Sequence, residues 1–573
     1  FHAVNVLIHL LNTALVMALG VRMLANRGLA LLGGALYGVH PVLVESVAFV
    51  SSRYDLMATL FLLLALWLEG RLRGGWRLAG VSLAFLGALL CKEMALMFPL
   101  VLLLWQRAWG RGSSERESLA HLIRAERALY WVVGLTLVIY FGIRYFALGY
   151  LFTEPIGGAQ IEVGTPVQHL LLIGRTLTTL TGLVFVPFFS ITPVHHSELP
   201  VPVGDGWAWA QLGGAVLILL SVAYLVWCRL SAGWLFAAAL VSLLPVLNLH
   251  PLEFAYGMFT AERFLTFPLA LTLLGLLQLP PPSLPYSRGI CKRLQARVGT
   301  LMVILWGVAL MITTAYNLPN WRDPEHFWKW LTIASPQSPI GFSNLSDLYY
   351  RMGRYAESLE YAEKAIQVAP RSGMGHVNKG VVLLRLGDSD GAMALFRKAV
   401  EIEPSNVLGW NNLAVMLLER GEQDEAERIL RQHVLGNPPR YMGHQTLGVI
   451  YLRRVRLDLA EAEFRKAYAL MTNPAGSITE QVLKQLQSAS KWITAAHYWM
   501  NRGELELAER HLQEAAPRNP DPIAFGIAMG RLRLLQKRPA EAQQLLMQVQ
   551  SRGYRDATLE TLLHEASKML QQE

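Results

Sequence analysis

The chain has 573 residues, of which 53% are hydrophobic and 16% are charged, and its formal net charge is +9. Soluble proteins carry about 25% charged residues, so this composition excludes a chain that is soluble throughout. Many of the basic residues lie in short loops between apolar segments, which indicates orientation in a membrane and argues against a nucleic-acid partner.

Apolar segments follow one another from Val4 to about Leu318. A helix that spans a bilayer needs roughly 20 apolar residues. The candidate spans, some of them short, are Val4–Met23, Leu29–Val50, Leu56–Leu68, Leu78–Leu90, Met94–Trp105, Leu129–Phe146, Trp207–Trp227, Trp234–Leu249, Phe264–Leu279 and Val298–Tyr316. Residues 1–318 are therefore predicted to form a polytopic helical domain in the lipid bilayer, with a polar break between two helices at Lys92–Glu93.

Loop charge predicts which side each loop faces. The basic loops, expected in the cytoplasm, are Arg22–Arg27, Arg71–Arg77, Arg107–Arg127, Arg229 and Arg288–Arg297. The loops poor in Lys and Arg are Gly149–Val167, Phe189–Asp205 and His250–Glu262. The two kinds of loop alternate along the chain if the segment His169–Pro187 does not cross the membrane. The residues after 318 then lie on the non-cytoplasmic side.

The last part of the chain is a soluble repeat. Pro370, Pro404 and Pro438 lie 34 residues apart, and Gly353, Gly387 and Gly421 keep the same step, which is the tetratricopeptide period. After a linker at 319–336, residues 337–573 are predicted to hold about six units, the fourth with Val455 in place of glycine, and a final helix over Thr558–Glu573. The predicted fold class is all-α, a membrane bundle followed by an α-solenoid that binds a protein partner.

Charged residues within apolar spans are costly and mark candidate functional sites. The candidates are His40, Glu45, Arg53, Asp55, Lys92, Glu93, Arg144, Arg175, Glu262 and Arg263. Arg and Lys on one face suit phosphate or pyrophosphate, and carboxylates suit general base work on a hydroxyl. A phosphate-linked lipid in the bilayer would place its leaving group at this depth.

Cysteine and histidine predict no metal site. Cys91, Cys228 and Cys291 lack metal-ligand spacing and predict no disulfide framework. His195–His196 has no third ligand at suitable spacing, so we expect a solvated loop there.

Five motifs in chain order support a family resemblance. They are "FHAVNVLIHLLNTAL", "LYGVHPVLVESVAFVSSRYDLMATLFLLLAL", "LLCKEMALMFPLVLLL", "LPVLNLHPLEFAYGMFTAERFLTFP" and "NWRDPEHFWKW" before the repeats. Together they resemble the transmembrane and tetratricopeptide-repeat O-mannosyltransferase family and its bacterial relatives. The resemblance implies a GT-C-type membrane glycosyltransferase that transfers a sugar from polyprenyl phosphate to a protein hydroxyl on the lumenal or periplasmic side.

The resemblance also implies roles for residues. It assigns Lys92, Arg144 and Arg263 to the donor phosphate, and Glu45, Asp55 and Glu93 to positioning. The family's catalytic acid lies in the first external loop, and we expect Phe1 to lie beyond that loop, so the catalytic residue is unknown. Thr266 stands where the family usually has tyrosine.

The sequence thus predicts protein glycosylation of the O-mannosylation type, with the repeats recruiting the protein acceptor. No firm cofactor follows from it: the sugar-linked polyprenyl phosphate is a donor substrate, and a divalent metal is left open. The expected location is a bacterial inner membrane with periplasmic repeats, or the endoplasmic reticulum with lumenal repeats. Two alternatives remain, an oligosaccharyl ligase that uses a lipid-linked glycan and a non-enzymatic scaffold anchored in the membrane.

Overall fold

The computed structural model describes residues 2–24, 26–109, 119–148, 164–188, 191–249, 258–279, 289–436, 440–471 and 474–572. These residues are mostly helical, with one pair of short antiparallel strands, β1 (His195–His196) and β2 (Met258–Thr260). The chain divides into two compact bodies, residues 1–378 and residues 379–573. The predicted all-α class is confirmed, whereas the sequence-based boundaries at 318 and 336 stay predictions.

The first body contains a bundle of thirteen helices within its described residues. They are α1 (His2–Met23), α2 (Arg27–Val39), α3 (Val44–Ala48), α4 (Arg53–Arg71), α5 (Gly74–Cys91), α6 (Phe98–Ala108), α7 (Leu119–Ala125), α8 (Arg127–Leu148), α9 (Pro166–Phe185), α10 (Gly206–Trp227), α11 (Ser231–Leu243), α12 (Thr266–Leu276) and α13 (Gly289–Asn317).

Six helices in the described ranges are long and apolar enough to cross a membrane. Their spans are His2–Met23, Val50–Arg71, Gly74–Cys91, Arg127–Ala147, Gly206–Trp227 and Leu301–Trp321, and each matches a predicted span. The predicted span Leu29–Val50 is instead a pair of helices bent by 47° at a short break, which would raise the number to seven. The 20-residue helix α9 is not among the six. The sidedness derived from loop charge stays a prediction.

Three predicted spans are too short to cross a membrane on their own, and one of them, Trp234–Leu249, is the shorter apolar helix Ser231–Val246. Helices α6 and α12 have 11 residues each, which corresponds to about 16 Å at 1.5 Å per residue, against a hydrocarbon core of about 30 Å. Each begins only after a 3-10 turn that carries charge, Glu93–Met97 before α6 and Glu262–Leu265 before α12. The charged residues therefore lie where the regular helix stops.

A polar stripe on α1 lies beside these interruptions. Asn5, His9 and Asn12 are buried on one face of α1, at spacings of four and three residues. They donate hydrogen bonds, from Asn5 to the carbonyl of Val47, from His9 to that of Gly38 and from Asn12 to that of Leu56. Backbone groups freed by a broken helix need such partners where water is excluded.

The remaining helices include the repeats. Three further helices lie in the first body, α14 (Pro324–Ala334), α15 (Pro339–Arg351) and α16 (Tyr355–Val368), and α17 (Gly373–Arg385) contains the boundary. The others are α18 (Ser389–Ile402), α19 (Val407–Glu419), α20 (Gln423–Ile429, continued by a π-helical turn Leu430–Val434), α21 (Tyr441–Arg453), α22 (Leu457–Leu470), α23 (Ile478–Leu486), α24 (Ala489–Asn501), α25 (Leu505–Ala515), α26 (Pro522–Leu535), α27 (Pro539–Ser551) and α28 (Ala557–Gln572).

Six helical hairpins agree with the predicted six units. They are α15–α16, α17–α18, α19–α20, α21–α22, α24–α25 and α26–α27, with α23 as an additional helix and α28 as the final one. The turn within each hairpin has a residue with positive φ. These residues are Gly353 (76°), Gly387 (93°), Gly421 (85°), Val455 (55°), Gly503 (78°) and Lys537 (59°). Val455 therefore adopts the glycine conformation despite its branched side chain.

Candidate functional site

The first element of the site is an ion pair at the end of α5. Helix α5 ends at Cys91, and Lys92 is extended, with φ −155° and ψ 136°. The Lys92 ammonium lies 3.1 Å from the carboxylate of Asp55, in the first turn of α4. The Lys92 side chain is 32% exposed, whereas that of Asp55 is 4% exposed. The carboxylate is thus buried behind a cation that solvent or a ligand can reach.

A second ion pair has the same arrangement. Arg263 lies in the 3-10 turn before α12, and its guanidinium donates to Glu45 of α3 at 2.5 Å. The backbone N–H of Arg263 donates to the other oxygen of the Glu45 carboxylate at 2.9 Å. The Glu45 side chain is 2% exposed and that of Arg263 is 23% exposed. Two bonds from one residue hold this carboxylate, so the guanidinium is fixed in place.

Both cations line one partly open cleft of about 420 Å³, a volume that includes some open solvent. Asp55, Lys92 and Arg263 are its charged residues, and Thr59, Ser242 and Thr266 contribute hydroxyl-bearing side chains. The rest of the lining is apolar and consists of Ala58, Leu62, Met94, Ala95, Met97, Phe98, Val101, Phe264, Phe267 and Pro268. The cleft therefore combines two anchored cations with an apolar wall.

A third ion pair joins two of the predicted site residues but does not line the cleft. Arg144 of α8 donates to the carboxylate of Glu93 at 2.7 Å and to the hydroxyl of Tyr140 at 3.0 Å. Here the arginine side chain is 11% exposed and the glutamate side chain 55% exposed, the reverse of the other two pairs. Arg144 therefore ties α8 to the break after α5 and does not present its charge to the cleft.

His40 and Arg53 hold backbone and neighbouring side chains. His40 Nε2 donates to the carbonyl of Val184 at 3.0 Å, and its Nδ1 accepts the N–H of Val42 at 3.3 Å. Both ring nitrogens of His40 thus stabilise the bend between α2 and α3. Arg53 donates from Nε to the side-chain oxygen of Asn5 at 3.0 Å.

Arg175 belongs to a different cluster. Its guanidinium donates to the side chains of Gln211 at 2.9 Å, Ser197 at 2.5 Å and Asp205 at 2.5 Å. Asp205 also caps the first turn of α10. Arg175 is absent from the cleft lining, and it joins α9 to α10.

The expectation of a solvated loop at His195 is wrong. His195 is buried on β1, and its Nε2 lies 3.7 Å from the carboxyl of Glu262, which also accepts the N–H of Thr192 at 2.6 Å. Burial lowers the pKa of His195 to about 4. Burial, and then the nearby Glu45, raise the pKa of Glu262 well above its usual value, against the effect of the Thr192 N–H. Both shifts favour the neutral form of the side chain.

Within the part of the chain that the structure describes, no group of three or more His, Cys, Asp or Glu residues is placed to hold a metal ion. His195 and Glu262 lie together, but the third ligand that most metal sites need is missing from that cluster.

Sequence reasoning missed several residues of this region. Thr59 and Ser242 line the cleft, and both have ordinary hydroxyls within apolar helices that give no local signal. Thr192 lies in the loop before β1, and its hydroxyl likewise gives no local signal. The stripe of Asn5, His9 and Asn12 did carry a signal, because three polar residues repeat on one face of an apolar helix.

Fold and site together define a class: an all-α membrane protein with a charged cleft among broken helices and tetratricopeptide repeats. Residues 344–407 and residues 395–428 each match a tetratricopeptide repeat family.

Short stretches are similar to curated transferases. One of 149 residues is 34% identical to the protein O-mannosyl-transferase Tmtc2 of Drosophila melanogaster, and covers 24% of this chain and 16% of that protein. Another of 66 residues is 46% identical to the protein O-mannosyl-transferase TMTC1 of Mus musculus, and covers 11% of this chain and 7% of that protein. The matched stretches thus span a small part of these relatives.

Solved structures are similar to part of the chain. The Pseudomonas aeruginosa protein PilF is 18% identical, with 40% of this chain and 97% of that chain covered, at a TM-score of 0.23. YrrB, described as a tetratricopeptide-repeat protein with an unusual peptide-binding site, is 16% identical, with 35% and 95% covered, at a TM-score of 0.26.

Proposed function

We propose that the chain is a membrane glycosyltransferase of the GT-C type that takes a mannose-like sugar from polyprenyl phosphate and transfers it to protein Ser or Thr hydroxyls. The observation that carries the proposal is the cleft in which Lys92 and Arg263 stand in front of the buried carboxylates of Asp55 and Glu45. The similarity to protein O-mannosyl-transferases supports the reaction class.

The arrangement of charge suits a single phosphate. Each cation is already balanced by one carboxylate, so the site tolerates the absence of ligand without unpaired charge in an apolar wall. A phosphodiester adds one negative charge, which two cations can share through charge-assisted hydrogen bonds. The apolar lining accepts the first isoprene units next to that phosphate.

The transfer would follow from this placement. A base deprotonates the acceptor hydroxyl, the oxygen attacks the anomeric carbon, and the bond from that carbon to the phosphate oxygen breaks. The leaving polyprenyl phosphate gains negative charge, and Lys92 and Arg263 stabilise that charge. In this proposal an external loop of the protein supplies the base, and the repeats bring the protein acceptor to the same side of the membrane.

Binding of the donor tests the proposal without requiring turnover by this chain. The paired variant Asp55→Asn/Lys92→Gln removes both charges together and leaves no buried charge without a partner. We expect polyprenyl-phosphate mannose to bind the wild-type chain in nanodiscs and to bind this variant at least about tenfold more weakly, since a lost charge-assisted contact is worth 1.4 kcal/mol or more. Native mass spectrometry of the membrane protein measures the difference.

Arg73→Ala is the matched control, because Arg73 is an exposed cation in a loop predicted to face the cytoplasm. It should leave donor binding unchanged. Preferred binding of a pyrophosphate-linked oligosaccharide would favour the oligosaccharyl ligase. If neither lipid binds, or if the paired variant binds as well as wild type, the cleft is not a donor site and the scaffold alternative gains.

A further inference from the structure

A short segment of the first body, residues 192–196, is hydrogen-bonded at two places to residues 258–262, which directly precede Arg263. β1 pairs with β2, with His195 opposite Thr260. Three residues nearer the amino end of the chain, the N–H of Thr192 donates to the carboxyl of Glu262 at 2.6 Å. Glu262 immediately precedes Arg263, so a movement of Thr192 is transmitted to the cleft cation through one peptide unit.

The same segment is hydrogen-bonded to Ser335, the residue that ends α14. The Ser335 hydroxyl donates to the carbonyl of Val194 at 2.9 Å and lies 3.0 Å from the hydroxyl of Thr192. A serine hydroxyl has one proton, so the proton of the second bond comes from Thr192. Ser335 lies four residues before α15, the first helix of the repeats.

The hydrogen bonds from Ser335 to Thr192 and from Thr192 to Glu262 form a series that leads to Arg263, and this series is buried at its cleft end. Thr192 is 7% exposed and Glu262 is 1% exposed. Arg263 continues the series, since its N–H and guanidinium both bond Glu45. Buried hydrogen bonds of this kind resist rearrangement, because breaking one leaves a polar group with neither water nor partner.

We propose that Ser335 and Thr192 are positioning residues for Arg263, which couple the start of the repeat region to the donor cleft through Glu262. A protein acceptor that shifts α15 would move Ser335, and the buried series would carry that shift to the cation that holds the donor phosphate. The donor half of this statement rests on the proposed function, whereas the coupling from Ser335 to Arg263 does not.

Hydrogen–deuterium exchange of the full chain in nanodiscs tests the coupling. Ser335→Ala removes both hydroxyl bonds, and we expect the amides of Thr192 and Arg263 to exchange about fivefold faster or more, in line with about 1 kcal/mol for a net hydrogen bond. Ser335→Thr retains the hydroxyl and should restore slow exchange. Ser338→Ala is the matched control, because Ser338 is buried and lies even closer to α15, as its N-cap, but its hydroxyl accepts the N–H of Ile340 and does not contact residues 192–196.

Binding of polyprenyl-phosphate mannose to the same variants tests the consequence. Ser335→Ala should weaken it about tenfold, within the usual range of coupling between sites, and Ser335→Thr should restore it. Unchanged exchange at Arg263 in Ser335→Ala would overturn the proposal, as would faster exchange with undiminished donor binding. If exchange changes as expected while wild type binds no donor, the coupling stands and the proposed function fails.

Discussion

Glu262 is a buried carboxyl whose surroundings disfavour its charge. Burial and the nearby Glu45 raise its pKa well above the ordinary value of about 4.5. A group with a raised folded-state pKa contributes stability that is present below the unfolded value and is lost as pH rises through the folded value. Ionisation of Glu262 would also leave a buried charge with only the neutral His195 and the Thr192 N–H beside it.

We therefore expect the thermal midpoint of the wild-type chain in detergent to fall, relative to that of Glu262→Gln, as pH rises above 4.5, because Gln imitates the protonated carboxyl. His195, whose pKa is lowered to about 4, adds a slope of opposite sign below its usual value of 6.5, but it is present in both proteins and cancels in the comparison. Glu560→Gln on the exposed face of α28 is the control; equal slopes for all three proteins would contradict the expectation.

At the scale of single residues, charge within apolar sequence identified the cations of the cleft and both carboxylates, but not which carboxylate pairs with which cation. Lys92 and Asp55 are 37 positions apart, and Arg263 and Glu45 are 218 positions apart. No local pattern connects residues at such separations, because the bundle alone brings them together. Arg144 and Arg175 had the same sequence signal as Lys92, yet they tie helices to one another outside the cleft.

At the scale of elements, the hairpin turns of the repeats show what a missing glycine costs. Val455 has φ 55°, in the left-handed region, and a branched side chain is strained there. Val455→Gly relieves about 1–2 kcal/mol of that strain and loses part of the gain to the greater freedom of glycine in the unfolded chain. We expect a net stabilisation of about 0.5–1 kcal/mol, measured as a higher urea midpoint for proteolysis of the repeats in the full chain.

Gly421→Val is the converse variant. Gly421 has φ 85°, and a Cβ built there meets nothing within 4 Å. The substitution therefore destabilises the fold through the strained backbone conformation and not through a clash at Cβ. This variant should lower the same midpoint by a similar energy. A lower midpoint for Val455→Gly would show that the Val455 side chain contributes more by packing than its backbone loses by strain.

Element prediction succeeded for long apolar helices, for repeats and for the polar break at Lys92–Glu93, and it missed the other places where helices break. Hydropathy detects about 20 apolar residues in a row, which α1, α4, α5, α8, α10 and α13 provide. Charge marks the start of Glu93–Met97 and of Glu262–Leu265, but hydropathy does not show that these segments are 3-10 turns. The bend at His40 was hidden for the same reason.

At the scale of the whole molecule, labelling of a native cysteine tests which side of the membrane each loop is predicted to face. Cys228 is exposed at the end of α10, beside Arg229 in a loop predicted to face the cytoplasm. With Cys91 and Cys291 replaced by serine, we expect Cys228 in right-side-out vesicles to react with a membrane-impermeant maleimide only after permeabilisation. The reason is the charge of its loop, since basic loops remain on the cytoplasmic side.

The matched reporter is Arg555→Cys in the repeats, in a chain with Cys228→Ser. Arg555 is exposed just before α28. This thiol should react from outside in intact vesicles. Reaction of both thiols from the same side would refute the assignment, and with it the idea that the repeats deliver an acceptor to the cleft from the non-cytoplasmic side.

The polar stripe of α1 has a consequence for biogenesis. The segments around Gly38, Val47 and Leu56 have backbone carbonyls that depend on side chains of α1 for a partner. A nascent chain that released these segments into lipid before α1 would leave those carbonyls unsatisfied, at a cost of several kcal/mol each. Helix α1 precedes them in the chain, so synthesis supplies the partners first. The order of insertion is thereby part of how the cleft is assembled.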